Sequence, residues 1–321
     1  MNPRQEALAL WLKALNFTDF SLTALPNDAS FRRYFRLKTS NSSYIIMDNP
    51  DTASCQPFIA LSHALRSHGL NTPDILQHNH AEGFLLLTDF GDQQLLQALN
   101  SANMKKLYQK ALTVLARIQT CDASTHWPIP IFTADFMYQE LELFRQWFLE
   151  VYLNLLLSPA TLKALSINFT QLAAEIAHQP MVFMHRDYHS ANLMLLPNEE
   201  IGVLDFQDAF LGPITYDLVS LLKDCYIDWP EKNIQELAFS FRNDIKLKVS
   251  DELFLRWFDL MGLQRHLKAL LTFSRKFSRD HNANYLKYIP RTLNYIKMIS
   301  AKYKEYQIIH EILAGVDLCV P

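Results

Sequence analysis

The sequence predicts an α+β protein with two lobes: a small strand-rich N-terminal lobe over residues 1–90 and a larger, mainly helical C-terminal lobe over residues 91–321. Before residue 90, short apolar or alternating runs at 31–38, 44–48 and 84–88 are typical of strands. After residue 90, long amphipathic segments are typical of helices. The two-lobed organisation follows from this change in periodicity, because no linker or internal repeat divides the chain further.

Within this frame, each element follows from its local pattern. In the first lobe we expect a helix at about 4–15, the three strands, and a helix at about 56–68. In the second lobe the helical segments are 93–120, 134–157, 159–178, 216–227, 231–246, 251–277 and 284–311.

A polar stretch between apolar runs carries the main chemical signal. Met181 to Met184 is suited to a buried strand, and the loop from His185 to Asn192 follows it. The runs 193–196 and 201–204 then predict a hairpin, so that Asp205 emerges close to Asn192. Phosphoryl transfer needs a carboxylate beside the acceptor hydroxyl and oxygen ligands for Mg2+. This spacing predicts Asp187 as the catalytic carboxylate, and Asn192 and Asp205 as metal ligands.

The expected nucleotide-binding loop departs from the protein-kinase pattern. Residues 26–33 contain no glycine, so we expect Ser30, Arg32 and Arg33 to donate to the nucleotide. A plain hairpin turn is the alternative for this loop. Met47 stands near the place where a phosphate-pairing lysine is expected, and the helix at 56–68 contains no glutamate to pair with such a lysine.

The triplet Asp89-Phe90-Gly91 resembles the metal-binding triplet of protein kinases but lies far upstream of His185, where that triplet does not belong. We interpret the run before it as an edge strand that leads into a hinge. The backbone of Leu86 to Thr88 would then meet an adenine ring.

Composition limits the other classes. The chain has 321 residues, 20% charged, with a formal net charge of −3, which disfavours nucleic-acid binding. No apolar run approaches the length of a membrane span. Cys55, Cys121, Cys225 and Cys319 form no Cys-x-x-Cys pair, which argues against zinc and predicts a cytoplasmic protein.

The loop motif His185-x-Asp187-x-x-x-x-Asn192 with Asp205 resembles the aminoglycoside phosphotransferase superfamily of small-molecule kinases, which share the protein-kinase-like fold. Longer strings at 28–36, 83–87, 203–209, 212–222 and 263–268 are similar to the bacterial cell-wall amino-sugar kinases. That branch phosphorylates the anomeric hydroxyl of N-acetylmuramate and N-acetylglucosamine in peptidoglycan recycling. The resemblance implies ATP and Mg2+ as cofactors, a small amino sugar as the partner, and structural roles for His185 and Asp217 in supporting the loop.

Charge gives an independent indication of the acceptor. From Met261 to Lys304 there are ten basic residues and one acidic residue, a formal +9, which favours a neutral or anionic acceptor. We therefore expect Arg265 and Arg275 near the substrate. The similar string at 263–268 adds His266, and Trp229 is expected to be a flat surface for a sugar ring or else a core residue. The alternatives are a kinase of an aminoglycoside or amino alcohol, and a pseudokinase that binds nucleotide without turnover.

Overall fold

The structure, a computed structural model, describes residues 3–26 and 32–316. The strands are β1 (Ser21–Ala24), β2 (Arg33–Lys38), β3 (Ser43–Asp48), β4 (Ile75–Asn79), β5 (Phe84–Thr88), β6 (Met181–Met184), β7 (Leu193–Leu195), β8 (Ile201–Val203) and β9 (Phe210–Pro213). The α-helices are α1 (Pro3–Ala14), α2 (Cys55–Ser67), α3 (Leu95–Ala98), α4 (Met104–Gln119), α5 (Ala134–Phe144), α6 (Pro159–Ala177), α7 (Tyr216–Leu222), α8 (Glu231–Asp244), α9 (Asp251–Asp280), α10 (Ile289–Lys302) and α11 (Gln307–Ala314). No described helix is both long enough and apolar enough to cross a bilayer.

The chain forms two compact units. The first unit contains the chain up to Ala98 together with 121–128 and 193–207, and the second contains the remainder. The main division follows Ala98, whereas the predicted boundary is at residue 90. The sequence pattern does not predict that the two later segments belong to the first unit.

The first unit is built on an antiparallel sheet in the order β1-β2-β3-β5-β4. One face of this sheet packs against α1, where Leu8 and Leu12 meet Leu37, Ile46 and Phe84 in a buried cluster. Successive strand residues point to opposite faces, so Tyr34 and Met47, which lie directly opposite one another, point away from α1. The β7–β8 hairpin also belongs to this unit, and Asn71 forms a bridge to Gly202.

The second unit is mainly helical, with the β6–β9 pair among its helices. Helix α9 runs for 30 residues and is buried along most of its length, from Phe258 to Ser274. Position 212 of β9 requires a glycine because β6 approaches it closely. A Cβ at this position would lie 2.5 Å from the sulfur of Met184. The end of β6, where the polar loop begins, is thus fixed by packing on β9.

The structure corrects several predicted elements. The strand at 84–88 is not an edge strand, since β5 pairs with both β3 and β4. The predicted helix 93–120 is divided into α3 and α4 by a turn, and the segment 134–157 becomes α5 followed by a π-helical segment at 145–152. The segment 284–311 is likewise divided among 3-10 turns, α10 and the first part of α11.

Candidate active site

The loop after β6 is held by a buried carboxylate from helix α7. Asp217 accepts hydrogen bonds from the backbone N–H of His185 at 2.6 Å and of Arg186 at 3.0 Å. Burial raises the pKa of Asp217 to about 7, while the two N–H donors act in the opposite direction by stabilising its charge. His185 is fully buried, and its Nδ1 accepts from the backbone N–H of Asp187 at 3.3 Å. Asp217 and His185 therefore both hydrogen-bond to the backbone of the loop.

Arg186 has an unusual backbone conformation, with φ of 78° in the left-handed region. Its side chain pairs with Glu140 at 3.3 Å and lies over the rings of Phe136 and Phe210. Such strain persists only where the surroundings fix it, and here two N–H contacts and a packed guanidinium do so. The neighbouring Asp187 is therefore presented in one defined direction.

Asp187 lines an open cavity whose lining residues all belong to the second unit. Lys268 of α9 approaches it, with Nζ 3.8 Å from Oδ1, and Arg265 of the same helix also lines the cavity. Burial would raise the pKa of Asp187, but the positive charges of Lys268, His189 and Arg265 lower it well below its usual value. Asp187 is therefore a carboxylate at any physiological pH.

The two predicted metal ligands flank the β7–β8 hairpin in the chain. Asn192 immediately precedes β7, and its Nδ2 donates to the backbone carbonyl of Asp187 at 3.0 Å. That bond engages the amide nitrogen, so the amide oxygen is the atom that a cation would bind. Asp205 follows β8 with φ of 63°, a strained value for a non-glycine residue, and accepts from Gln207 at 2.7 Å.

Within the described ranges, no three His, Cys, Asp or Glu side chains form a metal-binding cluster. This does not conflict with the predicted site, which uses one carboxylate and one amide oxygen. Mg2+ accepts both ligand types and is usually held by few protein ligands together with substrate phosphates and water. The donor atoms of Asn192 and Asp205 thus fit this cation.

The residues predicted to bind the nucleotide fall in different surroundings. Ser30 lies outside the described residues. Arg33 points to the α1 face of the sheet and forms an ion pair with the buried Asp48. Leu86 lies inside the sheet, opposite Ile46 and Gln77, so its backbone groups face neighbouring strands.

Thr88 ends β5, and its N–H donates to the backbone carbonyl of Asp74 at 3.0 Å. Asp89, the first residue of the kinase-like triplet Asp89-Phe90-Gly91, accepts hydrogen bonds from Ser43, Arg36 and the N–H of Gly91. It thus holds the turn after β5, in agreement with the interpretation drawn from its position in the chain.

Of the four residues predicted near the substrate, only Arg265 lines the cavity. His266 is fully buried, with Nε2 2.9 Å from the carbonyl oxygen of Lys223, so it packs in the core and the prediction of a substrate contact fails. Trp229 donates to the hydroxyl of Tyr108 at 2.9 Å, which favours its alternative as a packing residue. Arg275 does not line the cavity.

Two residues of the cavity were missed from the sequence. Asp224 accepts from the backbone N–H of Ser190 at 2.9 Å and of Tyr226 at 2.9 Å, so it fixes the far end of the polar loop. The sequence analysis includes Lys268 in the basic segment and in the similar string at 263–268 but assigns it no role. A carboxylate soon after an apolar helix is a weak signal for Asp224, and the approach of Lys268 to Asp187 has no local signal at all.

Comparison with known proteins agrees with this geometry. Residues 21–244 match the phosphotransferase enzyme family. The chain is 38% identical to the N-acetylmuramate/N-acetylglucosamine kinase of Pseudomonas aeruginosa over 90% of this chain and 86% of that protein. It is 37% identical to the protein of the same name from Pseudomonas putida over 92% and 88%, and 35% identical to that of Neisseria meningitidis serogroup B over 97% and 95%.

Solved structures with the same fold have much lower identity. The GDP complex of aminoglycoside 2′-phosphotransferase-IIIa matches with a TM-score of 0.65 at 14% identity, over 94% of this chain and 99% of that one. Choline kinase LicA from Streptococcus pneumoniae matches with a TM-score of 0.66 at 14% identity, over 93% and 99%. These likenesses confirm the predicted α+β, protein-kinase-like fold. The catalytic-loop motif, the family match and the relatives at 35–38% identity agree, and the chain belongs to the phosphotransferase enzyme family.

Proposed function

We propose that this protein transfers the γ-phosphoryl group of ATP, with Mg2+, to the anomeric hydroxyl of N-acetylmuramate, N-acetylglucosamine or both. The observation that carries the proposal is the cavity in which Asp187 faces Lys268 and Arg265. Relatives at 35–38% identity that bear this substrate pair in their names support the choice of sugar. Its setting would be peptidoglycan recycling in the cytoplasm, where ATP is available.

Asp187 would accept a hydrogen bond from the acceptor hydroxyl and hold its oxygen in line with the γ-phosphate. Because the neighbouring cations lower its pKa, Asp187 is a weak base. A weak base suits a loose phosphoryl-transfer transition state, in which the proton leaves late and positioning supplies most of the rate enhancement. Asp217 and Asp224 would keep the loop in place at its two ends.

Asn192 and Asp205 would hold Mg2+, which neutralises charge on the phosphates when bound. Before any cation binds, Asn192 is oriented by its bond to the carbonyl of Asp187, and Asp205 by its bond from Gln207. The predicted contacts of Leu86 and Thr88 with adenine are disfavoured, because Leu86 lies within the ladder between β3 and β4, and Thr88 pairs with Tyr44 of β3 while its N–H donates to the backbone carbonyl of Asp74.

The charge of the cavity refines the choice of acceptor. Its charged lining residues are two acidic residues, Asp187 and Asp224, and two basic residues, Arg265 and Lys268. A balanced cavity suits a neutral sugar, and its two cations can accept the lactyl carboxylate of N-acetylmuramate. A polycationic aminoglycoside would meet fixed positive charge beside Asp187, which disfavours that alternative.

The pseudokinase alternative rests on Met47 in place of lysine and on the absence of a glutamate from the helix at 56–68. It is disfavoured by the elaborate support of the polar loop, since a chain that only binds nucleotide has no need to hold an acceptor-facing carboxylate. Asp187 has such support through His185 and Asp217, and the strained backbone of Arg186 adds to it.

The test is an ATP-consumption assay with N-acetylmuramate, N-acetylglucosamine, kanamycin, choline and ethanolamine as acceptors. We expect turnover with one or both amino sugars only. Phosphorylation of the anomeric hydroxyl removes the reducing end, so reducing-sugar content should fall in step with ADP formation. The methyl glycoside of N-acetylglucosamine, which lacks that hydroxyl, is the matched control. Turnover of the methyl glycoside, or a product that still reduces, would refute the anomeric assignment.

A further inference from the structure

The cavity that contains Asp187 changes in character along helix α9. The residues of this helix that line it are Arg265, Lys268, Ala269, Thr272 and Phe273. Their spacings of three and one residues place them on one face of the helix. The charged residues end at Lys268, and the helical rise puts Phe273 about 7.5 Å further along the axis, a distance comparable with the width of a sugar ring. Beyond Lys268, this helix face therefore offers a ligand no formal charge.

Tyr226 lines the same cavity next to the catalytic loop. Its ring lies edge-on to the ring of His189, with 5.1 Å between the two ring centroids. Its backbone N–H donates to Asp224 at 2.9 Å, and Asp224 also accepts from the backbone N–H of Ser190. The carboxylate that fixes the end of the loop thus also fixes Tyr226 relative to the loop that carries Asp187.

Phe273 brings a second aromatic ring to the cavity from α9. Phe273 and Tyr226 both contact the ring of Tyr288, with centroid distances of 6.1 Å and 4.7 Å, respectively. Phe273 also stacks on Tyr285, at 5.6 Å with 16° between the ring planes. Tyr285 and Tyr288 belong to the 3-10 segment Ala283–Tyr288, which lies behind the two rings that line the cavity. The arrangement of Tyr226 and Phe273 is therefore fixed by packing before a ligand binds.

Packing alone does not account for a tyrosine at position 226. A buried tyrosine hydroxyl usually finds a hydrogen-bond partner, as that of Tyr188 does with the backbone carbonyl of Ala111 at 2.8 Å. Tyr226 is only half-buried, and within the described ranges no group hydrogen-bonds to its hydroxyl. The side chain thus brings to the cavity both an aromatic ring and a hydroxyl that is available to a ligand.

We propose that Tyr226 binds the sugar ring of the acceptor: its aromatic face packs against C–H groups of the ring, its hydroxyl hydrogen-bonds to a sugar hydroxyl, and Phe273 extends the apolar surface. Tyr226 has this role only if the acceptor is an amino sugar, as proposed above. It replaces Trp229, whose indole N–H donates to Tyr108 instead. Cavities for small ligands combine aromatic walls with a few polar groups that fix orientation, and a tyrosine supplies both.

The test compares the KM of N-acetylmuramate and N-acetylglucosamine in variants of Tyr226. Tyr226→Leu removes the aromatic face and should raise KM by about 5–30-fold, with kcat changed by less than about 3-fold, because a contact made equally in the ground and transition states affects KM alone. Tyr226→Phe, which removes only the hydroxyl, should raise KM by about 2–10-fold. The rise should be the same for both sugars, since they share the ring. ADP affinity, which a general loss of structure would weaken, should change by less than about 2-fold.

Phe277→Leu is the matched control for Phe273→Leu. Phe277 lies one turn later on α9, where its ring contacts Tyr152, and it does not line the cavity. We expect Phe273→Leu to raise KM for both sugars by about 2–10-fold and Phe277→Leu to leave it unchanged. An equal rise in the two phenylalanine variants would overturn the proposed aromatic surface.

Unchanged KM in the Tyr226 variants would also overturn the proposal. If Tyr226→Leu does not fold, Tyr226→Phe keeps the ring and its packing, and an unchanged KM in that variant alone refutes the proposed hydroxyl contact. Wild-type protein that phosphorylates neither sugar would refute the proposed function itself. Normal wild-type turnover with unchanged KM in the variants would refute only the role of Tyr226.

Discussion

Replacement of Asp187 by asparagine separates the chemistry of the site from its folding. The substitution removes the carboxylate but little volume, so the loop contacts through the Asp187 backbone should remain. If Asp187 orients the acceptor hydroxyl, turnover should fall by about 10²–10⁴-fold. Nucleotide affinity, which we assign to residues of the first unit, should change by less than about 3-fold.

The effect on stability can be estimated from the nearest charge. At the 3.8 Å between Lys268 Nζ and Asp187 Oδ1, the Coulomb attraction is about 1 kcal/mol with the dielectric constant of water and about 4 kcal/mol with an effective value of 20. The Asp187 side chain is 32% exposed, so the lower part of this range applies. We expect a loss of about 1–2 kcal/mol, which lowers Tm by a few degrees in a protein of this size.

Lys268→Met is the matched control. It breaks the same ion pair, so its loss of stability should be similar, and the double variant should show a coupling of about 1–2 kcal/mol. The carboxylate remains in Lys268→Met, so its turnover should exceed that of Asp187→Asn. Denaturant unfolding and an ATP-consumption assay on the three variants measure both quantities. A folded Asp187→Asn protein with wild-type turnover would refute the catalytic assignment, and an unfolded one would make Asp187 a structural residue.

Further predictions concern the metal, the sugar and pH. Asp205→Asn should raise the magnesium requirement and nearly abolish turnover, whereas Asp89→Asn should mainly lower stability, by about 1–3 kcal/mol; a magnesium titration that shows the reverse would contradict both assignments. At least one of Arg265→Gln and Lys268→Met should reduce kcat/KM more for N-acetylmuramate than for N-acetylglucosamine, and equal effects in both variants would exclude a carboxylate contact. Burial lowers the pKa of His266 to about 3 from 6.5, so the unfolded chain gains a proton as pH falls below 6.5 while the folded protein does not. Wild-type stability should therefore fall by about 2 kcal/mol more than that of a folded His266→Gln variant between pH 7 and pH 5, as measured by denaturant unfolding.

The parts of the fold that could be predicted are those in which local pattern and burial coincide. The apolar run at 84–88 gave β5 with its observed bounds, because a strand buried on both sides has only apolar positions. Strands β1 (Ser21–Ala24) and β4 (Ile75–Asn79) were missed. Both lie at the edges of the sheet, and their largely exposed residues carry no alternation that distinguishes a strand from a loop.

In the site, the motif located the loop because phosphoryl transfer requires particular residue types at short spacing. The residues that contact the loop from other elements do not carry such a local signal. Asp217 was predicted through the family resemblance, but Asp224 and Lys268 reach the loop from other elements, and nothing near them in the chain indicates where they meet it. His266 was selected from a string similar to the family, and a string of this kind does not separate residues that line a cavity from residues that pack behind it.

The basic segment 261–304 shows why a local sum of charge is a poor guide to a substrate. Several of its cations have partners outside the cavity. Lys302 of α10 forms an ion pair with Asp259 of α9, and Lys297 donates to the backbone carbonyls of residues 314 and 316. Arg279 pairs with Asp280 beside it. Of the segment's basic residues, Arg265 and Lys268 line the cavity, and Asp187 and Asp224 balance them there. We therefore expect the acceptor to be selected by the positions of the Arg265 and Lys268 cations relative to the Asp187 carboxylate, since cations that are neutralised by their own ion-pair partners exert little field on a ligand.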